Sequence, residues 1–209
     1  MTKIEPFEKH TSEYEAWFEN NRFVYKSELR AIEEKLPKKG EGLEVGIGSG
    51  RFSAPLGIRL GVDPSRKMRE LARSKGMEAI DGVAENLPFD DCRFHFVLMV
   101  TTICFLDDIE TAFKEAYRVL KCSGEFILGF IDKNSPLGKI YQQHKNASVF
   151  YKIATFYSVN EIVHHLTKAG FKNFDFVQTL FHDLTEIKTI EQIKKGYGEG
   201  SFVVIRGIK

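Results

Sequence analysis

Leu43-Glu44-Val45-Gly46-Ile47-Gly48-Ser49-Gly50-Arg51 is the stretch on which the fold turns. An apolar run ends in glycines at alternate positions. This is the pattern of a buried strand breaking into a tight turn, where the backbone must come close to a ligand. Two common nucleotide loops do not fit. The dinucleotide fingerprint needs a third glycine where Arg51 stands, and the phosphate-cradling loop needs a terminal Gly-Lys-Ser/Thr that is absent. What remains is Glu-x-Gly-x-Gly-x-Gly. A carboxylate just before the loop would repel a pyrophosphate and attract a cationic amine, which favours a zwitterionic ligand.

Working outward, Arg51 to Gly57 contains Pro55 and Gly57, which shorten the helix after the loop to about two turns. Ile58 to Asp63 then reads as a second strand ending in an acidic residue. A carboxylate there can accept both hydroxyls of a ribose, as the acidic residue of dinucleotide folds does. Asp63 could instead cap the helix Arg66 to Ser74, but Ser65 can do that and leave Asp63 for the ribose. Phe94 to Val100 is apolar enough for a central strand buried on both faces, with His95 packed and hydrogen-bonded within it.

Glu44 to Gly50 resembles the first motif of the class I S-adenosylmethionine (SAM) dependent methyltransferases. The resemblance implies that Gly46, Gly48 and Gly50 lie under the methionine half of SAM and that Glu44 helps hold its amino group. Asp63 matches the family's ribose-binding carboxylate. Ile80 to Asp91 resembles the family's Gly-Asp-Ala-Glu-x-Leu-Pro-Phe block, which lines the adenine. Val83 stands where that block has Asp, so the adenine contact is expected at Glu85 or at the backbone of Ala84. An N-terminal helix that lids the pocket would bring Tyr14 near the methyl donor, although Tyr14 and Trp17 on one helical face also suit packing on the sheet. Where related enzymes often carry two histidines, this chain has Cys104 and Phe105, which removes an obvious general base.

The family implies an α/β fold: a doubly wound, mostly parallel seven-stranded sheet with an antiparallel last strand. Residues 1–209 are expected to form a single methyltransferase domain. Residues 7 to 36 read as one or two helices within an N-terminal lid over about 1–40. Asp108 to Lys121 reads as an amphipathic helix, and its end, Arg118 to Gly124, resembles the family's turn before a strand at Glu125 to Phe130. Scattered aromatics over about 131–157 suit either a substrate cap or a helical insertion on the sheet edge, with Tyr141, His144 and Phe105 as candidate substrate contacts. Ser158 and Glu161 form a capping box for a helix ending near Gly170. Strands near Phe174 to Thr179 and Ser201 to Arg206 flank a charged helix near Leu184 to Lys195.

Composition narrows the function. With 30 basic and 29 acidic residues, the chain has no charge surplus to drive binding to nucleic acid or an anionic membrane. No apolar run reaches the length of a membrane span, and Met1 to Pro6 lacks a signal peptide's apolar stretch, so a cytoplasmic protein is expected. Cys92, Cys104 and Cys122 are too few and too scattered for a disulfide framework or a zinc site, so no metal is expected. The resulting expectation is methyl transfer from SAM to a small-molecule acceptor, with no catalytic residue named and the oligomeric state open. Two alternatives stand beside it. One is a non-catalytic SAM-binding regulator or scaffold of the same fold. The other is a NAD(P)-dependent reductase, which Arg51 and Glu44 disfavour.

Overall fold

The computed structural model describes residues 3–209, so the first two residues of the expected N-terminal lid lie outside the described residues. Three helices come first, where one or two were expected: α1 (Glu5–Lys9), α2 (Thr11–Asn20) and α3 (Arg22–Lys35). The strands are β1 (Gly42–Val45), β2 (Leu60–Val62), β3 (Glu78–Ile80), β4 (Phe94–Val100), β5 (Leu120–Ile131), β6 (Lys172–Thr179), β7 (Lys194–Lys195) and β8 (Phe202–Ile208). They form one sheet in the order β3-β2-β1-β4-β5-β8-β6-β7. β1 to β5 pair in parallel, and β8 enters antiparallel between β5 and β6. This is the doubly wound sheet with an antiparallel last strand, extended at its edge by the two-residue β7.

The remaining helices are α4 (Ser53–Leu56), α5 (Arg66–Ser74), α6 (Ile109–Val119), α7 (Pro136–Gln143) and α8 (Val159–Ala169). Strand alternation sends successive side chains to opposite faces. Val97 and Met99 of β4 pack with Phe113 of α6 and Ile162 of α8, while Phe96 and Leu98 pack with Ile32 of α3. Sheet and helices thus make two cores, one on each side.

Local chemistry fixes the helix ends. Ser65 caps α5 by accepting from the Met68 amide at 3.2 Å, and the Asp108 carboxylate caps α6 from the Glu110 and Thr111 amides. The expected Ser158–Glu161 capping box opens α8, and Gly170 closes it at φ +106°. The helix after the glycine loop is shorter than the two turns expected. α4 is a single turn, which Gly57 ends at φ +72°.

Three expectations need correction. The charged segment near Leu184 to Lys195 is not a helix, because its backbone is committed elsewhere: the Glu191 amide donates to the Ser27 hydroxyl and the Gln192 carbonyl accepts from Thr179. The Arg118 to Gly124 stretch does not end before a new strand. Leu120 already pairs with Phe94 and Glu125 with Phe96, so residues 121–124 bulge out of β5, with Ser123 at φ +62°. His95, expected to be packed, is solvent-exposed because it lies next to the open end of β4, and it is hydrogen-bonded as expected, its Nδ1 accepting from the Glu41 amide at 3.0 Å.

Candidate active site

The carboxyl ends of β1, β2 and β4 meet at a cleft of about 830 Å³. This is where open α/β sheets place ligands. Its floor is the glycine loop. The Gly46 and Ile47 amides both donate to the Val62 carbonyl, at 2.7 and 3.0 Å, which folds the loop back over β2. Gly46 has φ +75°, and a Cβ there would lie 2.4 Å from Thr102 Oγ1. Gly48 has φ +52°, and a Cβ there would lie 3.1 Å from the Tyr14 hydroxyl. Both positions require glycine for conformation and for space, and both face the cleft.

Asp63, at the end of β2, is buried at 8% exposure and binds the loop to the next helix. One carboxylate oxygen accepts from the Gly48 amide at 2.9 Å and the other from the Ser65 amide at 2.8 Å. Burial pushes its pKa up to about 6, against the pull of those two amides and the nearby Arg69 guanidinium. As expected, Ser65 is the helix cap, and Asp63 stands in the cleft wall.

Ala84 and Glu85 complete that wall. The Glu85 carboxylate accepts from the Asp107 and Asp108 amides at 2.9 and 3.2 Å, tying the adenine-block loop to the loop after β4. Tyr14 lies above Gly48 with no hydrogen-bond partner among the described residues. Burial, then the nearby carboxylates of Asp63, Glu44 and Glu15, holds its hydroxyl protonated far above the ordinary tyrosine range.

Glu44 and Gly50 fall elsewhere. Alternation along β1 turns Glu44 away from the cleft that Val45 lines. Its buried carboxylate accepts from the Ser53 hydroxyl, and burial pushes its pKa up to about 8. Glu44 therefore supports the loop from behind through Ser53. Gly50 closes the turn, its amide donating to the Ile47 carbonyl at 2.9 Å, and packs toward Met77 and Ala72.

The roof is the part that sequence reasoning named least. Lys3, Ile4 and Phe7 line the cleft, and Phe7 stands edge-on to Phe105 and Tyr14 at centroid distances of 5.0 and 5.9 Å. The Glu8 carboxylate pins α1 to the start of α5, accepting from the Ser65 hydroxyl at 2.7 Å and the Lys67 amide at 3.3 Å. The Ser65 bond holds the Glu8 carboxyl below its usual range. Arg51, which departs from the dinucleotide pattern, anchors α2 through Glu15 at 2.7 Å and Glu19 at 2.8 Å. Glu15 also takes the Ser49 hydroxyl and Lys75. Nothing local in the sequence signals these pairs, whose members lie more than thirty residues apart.

A second, narrower pocket adjoins the first, with Thr101 in the walls of both. Thr101 sits at φ +49°, a costly conformation for a β-branched residue, held by its amide donating to the Gly129 carbonyl at 2.8 Å. Tyr141, Tyr151, Phe156 and Tyr157 line this pocket, and the Tyr141 and Tyr151 rings stack at 4.6 Å. Of the candidate substrate contacts, Phe105 faces the large cleft and Tyr141 the small one. His144 does neither, because α7 ends at Gln143 and leaves it exposed at the helix terminus. Among the described residues there is no group of three or more His, Cys, Asp or Glu side chains that could hold a metal, and no helix long and apolar enough to cross a membrane.

With this geometry in view, the comparisons with known proteins are specific. Residues 43–128 match the family described as a methyltransferase domain. The chain is 52% identical to a SAM-dependent methyltransferase of Thermotoga maritima, described as a possible histamine N-methyltransferase. Its structure superposes with a TM-score of 0.97 over 99% of each chain. An uncharacterized protein of Methanocaldococcus jannaschii is 43% identical over 97% of this chain and 98% of its own length. A demethylmenaquinone methyltransferase of Chlorobaculum tepidum is 35% identical over 47% of this chain and 45% of its own. The chain belongs to the SAM-dependent methyltransferases of the class I fold. It is an enzyme and SAM is its cofactor, which sets aside both the nicotinamide and the non-catalytic alternatives. The cleft fits that cofactor: a floor with no side chains at Gly46 and Gly48, the Asp63 carboxylate in the wall, and an apolar surface at Val83 and Ala84.

Proposed function

We propose that this enzyme methylates a small molecule held in the aromatic pocket beyond Thr101. The observation that carries this reading is the shared wall: the cofactor cleft and the smaller pocket meet at one strained residue at the end of β4. Bound SAM supplies a sulfonium-activated methyl group open to attack by a nucleophile. In this reading Asp63 accepts the ribose hydroxyls, Gly46 and Gly48 carry the amino-acid half, Ala84 and Glu85 flank the adenine, and Tyr14 covers the donor. α1 and α2 form the lid of a single domain, and residues 131–157 form the acceptor's cap.

What the chain contributes to rate is alignment and exclusion of water. Positioning of this kind supplies an effective molarity worth about 7–11 kcal/mol at its best. Among the described residues no carboxylate or histidine lines the smaller pocket, and burial keeps the Tyr141 and Tyr151 hydroxyls protonated. Burial likewise pushes the Cys104 thiol up to about 12. The acceptor atom must therefore arrive already nucleophilic, as a neutral amine or a thiolate does, or lose its proton to water. A cytoplasmic location belongs to the same proposal.

The test is formation of S-adenosylhomocysteine from SAM across a panel of small amines, phenols, thiols and quinols. Histamine stands first, because of the description of the Thermotoga protein. Turnover with a member of the panel, abolished by Thr155→Trp in the pocket wall, supports the proposal. Turnover only on protein or nucleic acid would overturn it.

A further inference from the structure

Behind the aromatic pocket stands a carboxyl group with no assigned role. Glu28 of α3 is 4% exposed on the helix face that packs against the sheet, with Ala31 and Ile32 as its buried neighbours. Among the described residues its carboxylate has no ion pair and no hydrogen-bond donor, and burial alone pushes its pKa up to about 8. The helix places it at the pocket's end of the sheet. Ile32, one turn further along α3, lies over Gly129 of β5, and Ile131 at the end of β5 lines the pocket. Tyr141 packs into the same apolar core as the buried residues of α3. Glu28 is near enough that its ionised form raises both the Tyr141 and the Tyr151 hydroxyls.

A buried carboxyl group with no partner stays protonated rather than carry an isolated charge, and it ionises readily once a group of opposite charge is brought beside it. Stacked tyrosines in front of it present electron-rich ring faces, the surface that recognises ammonium-type cations. Among the described residues no lysine or arginine lines this pocket to supply the partner. We propose that Glu28, acting with the stacked Tyr141–Tyr151 pair, selects methyl acceptors that carry a positively charged nitrogen. The ligand itself is then the counter-ion that the fold omits. Glu28 is a specificity-determining residue, and the cation it holds is distinct from the atom that is methylated, since a protonated nitrogen has no lone pair to accept a methyl group. This inference rests on the aromatic pocket being the acceptor site.

The full-length chain, saturated with S-adenosylhomocysteine, is titrated with 2-phenylethylamine and with its neutral analogue 2-phenylethanol by ligand-observed NMR. Wild type is expected to favour the cation by about tenfold or more, and Glu28→Gln to bring the two probes within about threefold of each other. Glu28→Met is the second variant should the amide fail to pack, and unchanged S-adenosylhomocysteine affinity reports an intact fold in each. A preference for the cation that survives in a folded Glu28 variant overturns the inference while leaving the pocket assignment standing. If neither probe binds wild type, or Thr155→Trp leaves both affinities unchanged, the pocket assignment fails and the inference with it.

Discussion

Replacing Asp63 by Asn changes one oxygen into an amide nitrogen and removes a buried charge. Its effects on stability and on binding should separate. In the native structure both carboxylate oxygens accept backbone amides, from Gly48 at 2.9 Å and Ser65 at 2.8 Å. Asparagine can satisfy only one, and a buried donor facing another donor costs about 1–3 kcal/mol. Against this, the carboxyl group is raised from 3.8 to about 6. Ionising it in the folded protein at neutral pH therefore costs on the order of 3 kcal/mol, which the amide does not incur. The two effects nearly cancel, so melting of the ligand-free variant should stay close to wild type. Binding has no such offset. The ribose hydroxyls lose an anionic acceptor, and hydrogen bonds to charged groups are worth about 1.5–3 kcal/mol, so the S-adenosylhomocysteine Kd should rise about 10- to 100-fold.

The pH profile carries the same logic. A carboxyl group raised in the folded state gives stability that is full below about 4 and is lost as pH rises through about 6. Hydroxyl donors prefer the ionised form, so wild-type affinity should climb through pH 6 and level off above it, and the Asn variant should show no such break. Calorimetric titration across pH 5 to 8, with unfolding followed separately, measures both. An Asn variant that binds within about threefold of wild type would refute this role for Asp63.

Gly46→Ala places a methyl group 2.4 Å from Thr102 Oγ1 at φ +75°, and cofactor binding should be lost in a chain that still shows a native circular dichroism spectrum. Arg51→Ala frees Glu15 and Glu19 of α2. Because these pairs are partly exposed, the expected loss is about 1 kcal/mol, seen as an approximately fivefold weaker S-adenosylhomocysteine affinity by calorimetry with little change in Tm. Glu44→Gln should flatten the dependence of Tm on pH. The wild-type carboxyl, raised to about 8, gives stability that is full below about 4.5 and is lost as pH rises through 8, and thermal melts over that window show whether the slope falls.

The parts of the site legible in the sequence were those set by neighbours along the chain. The Ser65 and Ser158 caps rest on contacts three residues away, and Gly46, Gly48 and the acid at the end of β2 show in the strand–turn–strand pattern itself, although the contacts that hold them are longer-range. Strand alternation settled what the motif alone left open: Val45 faces the cleft and Glu44 the loop's underside. The roof stayed hidden because its fastenings are long-range. Glu8 on Ser65 and Glu15 on Arg51 look, in sequence, like ordinary solvated charges on short helices. The charged stretch before β7 has helix-like spacing of Leu184, Ile187, Ile190 and Ile193, but hydrogen bonds to Ser27 and Thr179 claim its backbone first. Glu28 escaped notice for a similar reason. As one of three glutamates on the charge-rich α3, it reads as part of the polar edge of an amphipathic helix until its burial is seen.

A crystal structure with S-adenosylhomocysteine tests the account most directly. The account predicts both ribose hydroxyls at about 3 Å from the Asp63 carboxylate, with the amino-acid end over Gly46 and Gly48 and the sulfur toward Thr101. A ligand seated elsewhere, or bound in this cleft without touching Asp63, would contradict it.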